Sequence, residues 1–301
     1  MGRWSTRPAP SSGTLAALAL VAVTAVWGST FVLIKDLVSS LPVTDFLAVR
    51  FVIAAAVLLA VLWRDVRRLS SDQLARGVAL GVVYGLAQIL QTAGLSRSSA
   101  AVSGFVTGMY VVLTPVLAAL LLRQRSPRTV WAAVALSTAG LALLALRGLS
   151  VGTGELLVLA SAALYALHIV GLGRWSVPRD ALGLSAVQMV TIALVCSVGA
   201  LPGGVVMPHG VGQWSGVLYT ALVAGALALV LQTWAQGHLS ATRAAVIMTM
   251  EPVFAAAFAV LLGGERLTSR MLVGGAFVLA AMYLVELSPA EDPPTEPLPV
   301  P

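Results

Sequence analysis

The sequence predicts an all-α membrane protein of ten transmembrane helices, arranged as two inverted five-helix repeats. Three observations predict it: a composition too apolar for a water-soluble domain, ten apolar runs of spanning length, and short motifs that recur between the halves. Of 301 residues, 58% are hydrophobic and 10% are charged, and the mean hydropathy is +0.94. A soluble domain carries about 25% charged residues, and a disordered chain combines low hydrophobicity with high charge. Both classes are excluded. A net charge of +6 and a pI near 10.2 do not argue for nucleic acid, because the basic residues are scattered through short loops. Cys196 is the single cysteine, so no internal disulfide or cysteine metal cluster can form, and no metal or cofactor is expected.

The apolar runs read, in order, as Thr14–Ile34, Val43–Leu62, Leu74–Ala93, Ser99–Leu122, Thr129–Leu146, Gly152–Leu172, Leu182–Leu201, Trp214–Ala235, Thr242–Leu262 and Thr268–Leu287. Each must be helical, because lipid offers no partner to backbone N–H and C=O groups. The first run follows Arg3 and Arg7, as a signal peptide would. It is long for such a segment, lacks a small-x-small exit and precedes nine similar runs, so it reads as a retained helix.

Charge orients the runs. One set of alternate loops holds Arg3, Arg7, Arg64, Arg67, Arg68, Arg76, Arg123, Arg125, Arg128, Arg174, Arg179 and Arg243; the other holds only Lys35, Arg97, Arg147, Arg266 and Arg270. The excess of basic residues marks the cytoplasmic side, which places both termini in the cytoplasm. The expected organisation is a tail over 1–13, a first five-helix unit over 14–147, a second over 148–287, and a proline-rich acidic tail over 288–301. That last tail reads as disordered.

The two halves echo one another. Ile89-Leu90-Gln91-Thr92 leads through Gly94 to Ala100-Ala101-Val102, and Val230-Leu231-Gln232-Thr233 leads through Gly237 to Ala244-Ala245-Val246. Ala48-Val49-Arg50-Phe51 likewise answers Ala186-Val187-Gln188-Met189. The matches lie about 138 to 144 positions apart, so five helices repeat as five. Five is odd, and the second copy therefore enters the membrane from the opposite side. Such a pair can exchange an inward-facing cavity for an outward-facing one.

Polar side chains within the runs fall in stripes at helical spacing. Tyr84, Gln88 and Gln91 share one face, as do Ser103, Thr107, Tyr110 and Thr114; Ser161, Tyr165 and His168; and Gln232 and Gln236. Thr24, Trp27 and Phe31 make a mixed stripe on the first run. Singly, such groups serve as interhelical glue. Converging, they enclose a cavity of neutral hydrogen-bonding groups and aromatic rings suited to small amphipathic organic solutes. The expected cavity residues are Trp27, Tyr84, Gln88, Gln91, Thr107, Tyr110, Tyr165, Gln232 and Gln236. His168 reads as an interfacial contact toward the cytoplasmic end, with proton relay as the alternative.

Two full charges fall near mid-membrane, Arg50 and Glu251. Each costs about 2.5–3.5 kcal/mol there on insertion scales. They either pair with each other, as a buried structural pair, or face water or a solute. In the second case Glu251 is a proton or cation site, and Arg50 anchors a carboxylate or a helix end. Prolines mark two expected helix breaks. Pro252 leaves the Met248 carbonyl without its helical donor, and Pro115 does the same to Val111. Gly77, Gly81 and Gly85, and Gly104 and Gly108, are spaced four apart and predict close helix packing within one chain.

Trp27-Gly28-Ser29-Thr30-Phe31, Arg50-Phe51, Glu251-Pro252-Val253 and Leu262-Gly263-Gly264-Glu265-Arg266-Leu267-Thr268 resemble the EamA-type transporters of the drug/metabolite transporter superfamily. The similarity runs from Thr14 to Leu287. It implies a two-times-five inverted repeat in a bacterial inner membrane, with a central cavity lined by both halves, and export or exchange of metabolites, amino acids or drug-like compounds. The first half departs from the pattern. Alignment on Ala-Ala-Val sets Thr107-Gly108 opposite Glu251-Pro252, alignment on the prolines sets Thr114-Pro115 there, and Arg123-Gln124-Arg125 stands opposite Gly-Glu-Arg. Glu265 reads as an outer helix-end or salt-bridge residue.

The expected function is secondary active transport of small organic solutes by alternating access, as an exporter, with no catalytic residues. The expected partners are a small-molecule solute, the lipid bilayer and protons; the oligomeric state is left open. No Walker A sequence supports ATP hydrolysis. The alternatives are an intramembrane lipid- or metabolite-modifying enzyme, which needs convergent nucleophiles or ligands, and a membrane sensor or scaffold, which needs an effector domain. His168, His209 and His238 lie in different segments, and the loops are too short for such a domain.

Overall fold

The computed structural model describes residues 12–98, 100–122, 127–145, 152–201, 204–262 and 269–286. The expectations for Arg123-Gln124-Arg125, for Glu265 with its neighbours over 263–268, and for the tail over 288–301 lie outside these residues. Among the described residues all regular structure is helical. The helices are α1 (Ser12–Ser40), α2 (Val43–Val66), α3 (Ser71–Leu95), α4 (Ala100–Thr107), α5 (Tyr110–Leu122), α6 (Arg128–Ala145), α7 (Thr153–Trp175), α8 (Ala181–Val198), α9 (Gly210–Leu218), α10 (Ala228–Gln236), α11 (Ala241–Met248), α12 (Met250–Leu261) and α13 (Ser269–Glu286). A π-helical segment, Tyr219–Leu227, joins α9 to α10. Among the described residues, seven helical stretches are long and apolar enough to cross a membrane, including Gly210–Gln236 and Ala241–Phe258 taken as continuous.

Local chemistry starts and stops these helices. Ser70 caps α3 by accepting from the Gln73 N–H, while the Gln73 side chain accepts from the Ser70 N–H. Ser240 caps α11 through the Arg243 N–H. At the far end of α3, the Lys35 ammonium donates to the carbonyls of Leu95 and Ser98, so a cation meets the negative end of a helix. The Ser98 hydroxyl then donates to Glu155 in the first turn of α7, at 2.9 Å.

Two of the expected ten rods are interrupted, and the breaks are not both where proline predicts them. The run ending at Leu122 divides at Gly108–Met109, between α4 and α5, and Pro115 lies inside α5. Its ring removes one backbone donor without ending the helix. The second interruption is at Thr249, and Pro252 follows in the first turn of α12, where a missing N–H is tolerated. Because α4 ends at Thr107 and α11 at Met248, the two broken rods match at an offset of 141. In this register Tyr110, not Thr107 or Thr114, stands opposite Glu251.

Packing links the two halves of the chain. α2 lies along α8, α6 along α13, α3 along both α7 and α8, and α1 along α12 and the Gly210–Gln236 stretch. The glycine ladder of α3 makes one of these contacts possible. A Cβ on Gly81 would stand 2.6 Å from the Thr191 Cβ and 2.8 Å from the Gln188 carbonyl oxygen, and one on Gly77 2.8 Å from Val187. The expected close packing within one chain is thus α3 on α8. Gly104, the other spaced glycine with a defined neighbourhood, has only ordinary contacts with Ala255 and Phe31, the nearest at 3.7 Å.

Candidate functional site

Helices from both halves converge on an internal cavity. α1 contributes Trp27, Thr30, Phe31 and Ile34; α2 Arg50; α3 Tyr84, Gln88, Gln91, Thr92 and Leu95; α4 and α5 Thr107 and Tyr110; α7 Tyr165, His168 and Ile169. Gln232, Met248 and Glu251 complete the wall from α10, α11 and α12. Its free volume is about 50 Å³, room for a few water molecules and far below the roughly 300 Å³ or more of a pocket holding a drug-sized ligand. In this conformation the space is too small for such a ligand.

Eight of the nine expected cavity residues line this space, as do both mid-membrane charges. Gln236 does not. It stands one layer back, donating to the Ile169 carbonyl at 2.9 Å and accepting from Gln232 at 3.1 Å, so it positions Gln232. His168, expected as a polar contact, makes one. It is 1% exposed, lines the cavity, contacts Gln188 at 2.8 Å and meets the Tyr84 ring edge-on at a centroid distance of 4.9 Å. Sequence signals for this were available: His168 lies one turn beyond Tyr165, and an offset of 138 sets it opposite cavity residue Thr30.

One polar chain ties α3, α4 and α7 together. Gln88 donates to the Tyr165 hydroxyl at 2.7 Å, that hydroxyl donates to Gln91 at 2.8 Å, and Gln91 donates to the Thr107 hydroxyl at 3.1 Å. Such relays fix side chains that would each be costly to bury alone.

Arg50 and Glu251 make no ion pair with each other. Arg50 is 3% exposed, and its Nε donates to the Thr220 carbonyl at 3.0 Å. The guanidinium carbon lies 4.7 Å from the Phe51 ring centre and 5.8 Å from that of Phe46, within cation–π range. Its Nη1 has no hydrogen-bond partner. Thr220 belongs to the π-helical segment, whose wider turn leaves carbonyls for outside donors. The Trp27 indole takes a second one, donating to the Ala224 carbonyl at 2.9 Å. The sequence over Tyr219–Leu227 is an ordinary apolar run and carries no signal of this widening.

Glu251, 5% exposed, sits beside the interruption at Thr249. The Met248 carbonyl, denied a helical donor by Pro252, accepts the Tyr110 hydroxyl at 2.8 Å. The same hydroxyl lies 3.3 Å from Glu251 Oε2. A phenol has one hydrogen and cannot serve both acceptors fully. Tyr110→Phe is expected to lower stability by about 1–3 kcal/mol, the range for leaving a buried acceptor unsatisfied, read as a drop in the thermal midpoint of the purified protein.

The family model of the EamA-like transporter family matches residues 14–146 and again 152–287. The chain belongs to the EamA-like transporter family. An uncharacterized transporter of Archaeoglobus fulgidus is 29% identical over 271 residues, which cover 90% of this chain and 84% of that one. A solved crystal structure, described only as that of a protein, superposes with a TM-score of 0.75 at 20% identity, over 93% of this chain and 98% of its own. That likeness bears on the fold alone. The EamA match in two units and the long apolar helices make this a multi-pass membrane transporter, and both names point away from an enzyme.

Proposed function

We propose that this EamA-family chain is a secondary active transporter that exports small organic solutes by alternating access. In this reading ten crossings form two inverted repeats of five, and both termini lie in the cytoplasm of a bacterial cell. The observation that carries it is the cavity walled by helices of both family-matched units and lined by Arg50 and Glu251, which make no ion pair with each other. Reciprocal packing supports a twofold relation between the units. α2 meets its own counterpart α8, α6 meets α13, and the α3–α7 contact is answered by that of α1 with Gly210–Gln236. Two units related by a twofold axis in the membrane plane would pack this way.

Tyr110 gives Glu251 a means of coupling. When the carboxyl carries a proton, it can donate to the Tyr110 oxygen while the hydroxyl hydrogen stays on the Met248 carbonyl. When it is ionised, it competes for that hydrogen and frees the carbonyl at the helix interruption. Proton gain and loss thereby bias the junction of α11 and α12, where a rigid-body swing would hinge.

Comparison of metabolites inside and outside cells with and without the gene tests the function directly. A solute that accumulates inside when the gene is lost, and leaves proteoliposomes chemically unchanged when the protein is present, is the expected result; a chemically altered product favours an intramembrane enzyme. Topology has its own test. With the buried Cys196 replaced, single cysteines at Lys35 and at Arg179 are expected to label from opposite sides, Lys35 from outside.

A further inference from the structure

The wall of the cavity carries an uneven inventory of charge. Among the described lining residues Arg50 is the one arginine or lysine, and no carboxylate forms an ion pair with it. Its partners are one carbonyl and two ring faces, and Nη1 has none. A buried guanidinium with an unmet donor is unfavourable, and the missing complement is an anionic oxygen. The Glu251 carboxyl is engaged with Tyr110 and forms no ion pair with Arg50, so it does not supply that complement. The lining also mixes the rings of Trp27, Phe31, Tyr84, Tyr110 and Tyr165 with the neutral amides and hydroxyls of Gln88, Gln91, Thr92, Thr107 and Gln232.

Resting on the transport reading above, we infer that the solute is an organic monoanion, a carboxylate joined to an aromatic or similarly flat apolar body. The carboxylate accepts from the Arg50 guanidinium and the body stacks among the rings. One cation neutralises one negative charge, so a dianion would enter with a charge uncompensated in a low-dielectric site. A neutral amide could accept from Nη1 through its carbonyl oxygen but would bring no counter-charge to the guanidinium, a weaker complement.

The test uses the full-length protein in proteoliposomes, with counterflow of radiolabelled phenylacetate and competition by unlabelled phenylacetamide, phenethylamine and L-phenylalanine. The expected result is phenylacetate counterflow, weak competition by the amide and amine, and no advantage for the amino acid. Arg50→Gln is expected to raise the half-saturating phenylacetate concentration by about tenfold or more, the scale of one charge-assisted hydrogen bond. Should that variant fail to fold, the selectivity of the unaltered protein decides alone. Competition by the amide or the amine equal to that of phenylacetate overturns the inference and leaves the transport reading standing. Stronger competition by L-phenylalanine overturns it in favour of a zwitterion whose ammonium meets Glu251. Absence of flux for phenylacetate, benzoate and butyrate alike also overturns it, while the transport reading is judged separately by the gene-loss metabolite comparison.

Discussion

Gly28→Ala is expected to destabilise the protein by about 1–3 kcal/mol, the usual range for an overpacked interior, and to abolish transport with it. In an exposed helix the same change stabilises by up to about 1 kcal/mol, because alanine has the better helix propensity. Sterics reverse the sign here. A Cβ at Gly28 would stand 2.7 Å from the Ala255 backbone nitrogen and the Phe254 Cβ, and 2.9 Å from the Glu251 carbonyl oxygen. Two of those atoms are main chain and cannot rotate away, so α1 and α12 must separate. The separation falls where α1 and α12 meet, beside the cavity residues Trp27 and Glu251. Gly104→Ala is the matched control, since its new methyl would meet only ordinary contacts. Thermal unfolding of the two purified variants decides the point: equal midpoints would mean that α1 and α12 do not touch as described.

The second large effect is on activity. Glu251→Gln keeps the size of the side chain and removes its capacity to take up and release a proton. Under the coupling proposed here, uphill export driven by a pH gradient is expected to fall to background, while downhill exchange of the solute persists. Measuring both modes in the same proteoliposomes separates coupling from folding. Unchanged pH dependence of export in this variant would remove Glu251 from the scheme, and loss of both modes would make it a structural residue.

Hydropathy and spacing made much of this molecule legible in advance. Helical periodicity placed Tyr84, Gln88 and Gln91 on one face, and they meet Tyr165 and Thr107 as a connected chain. The α3 glycines announced a close contact that α8 provides. What stayed hidden depends on three-dimensional relations that no local pattern encodes. Pro115 is a strong local signal, yet its helix runs on and the interruption falls at Gly108–Met109, where adjacent helices decide the backbone path. Gln236 shares a stripe with Gln232, but a carbonyl of α7 claims its amide and holds it behind the wall. That His168 also lines the cavity could not be read from its distance to a loop, because burial there comes from α3 and α8 packing over it. Alignment on Ala-Ala-Val slipped by three residues against the helix ends, and so it missed that Tyr110 faces Glu251.

The loosened coil between α9 and α10 is held by two unrelated hands, an indole from the first helix and a guanidinium from the second. Neither can shift without letting go of a peptide oxygen or dragging that coil along. Motion begun among the opening residues of the chain therefore reaches its far half as a mechanical pull on one short stretch, which acts as a coupling rod across the molecule.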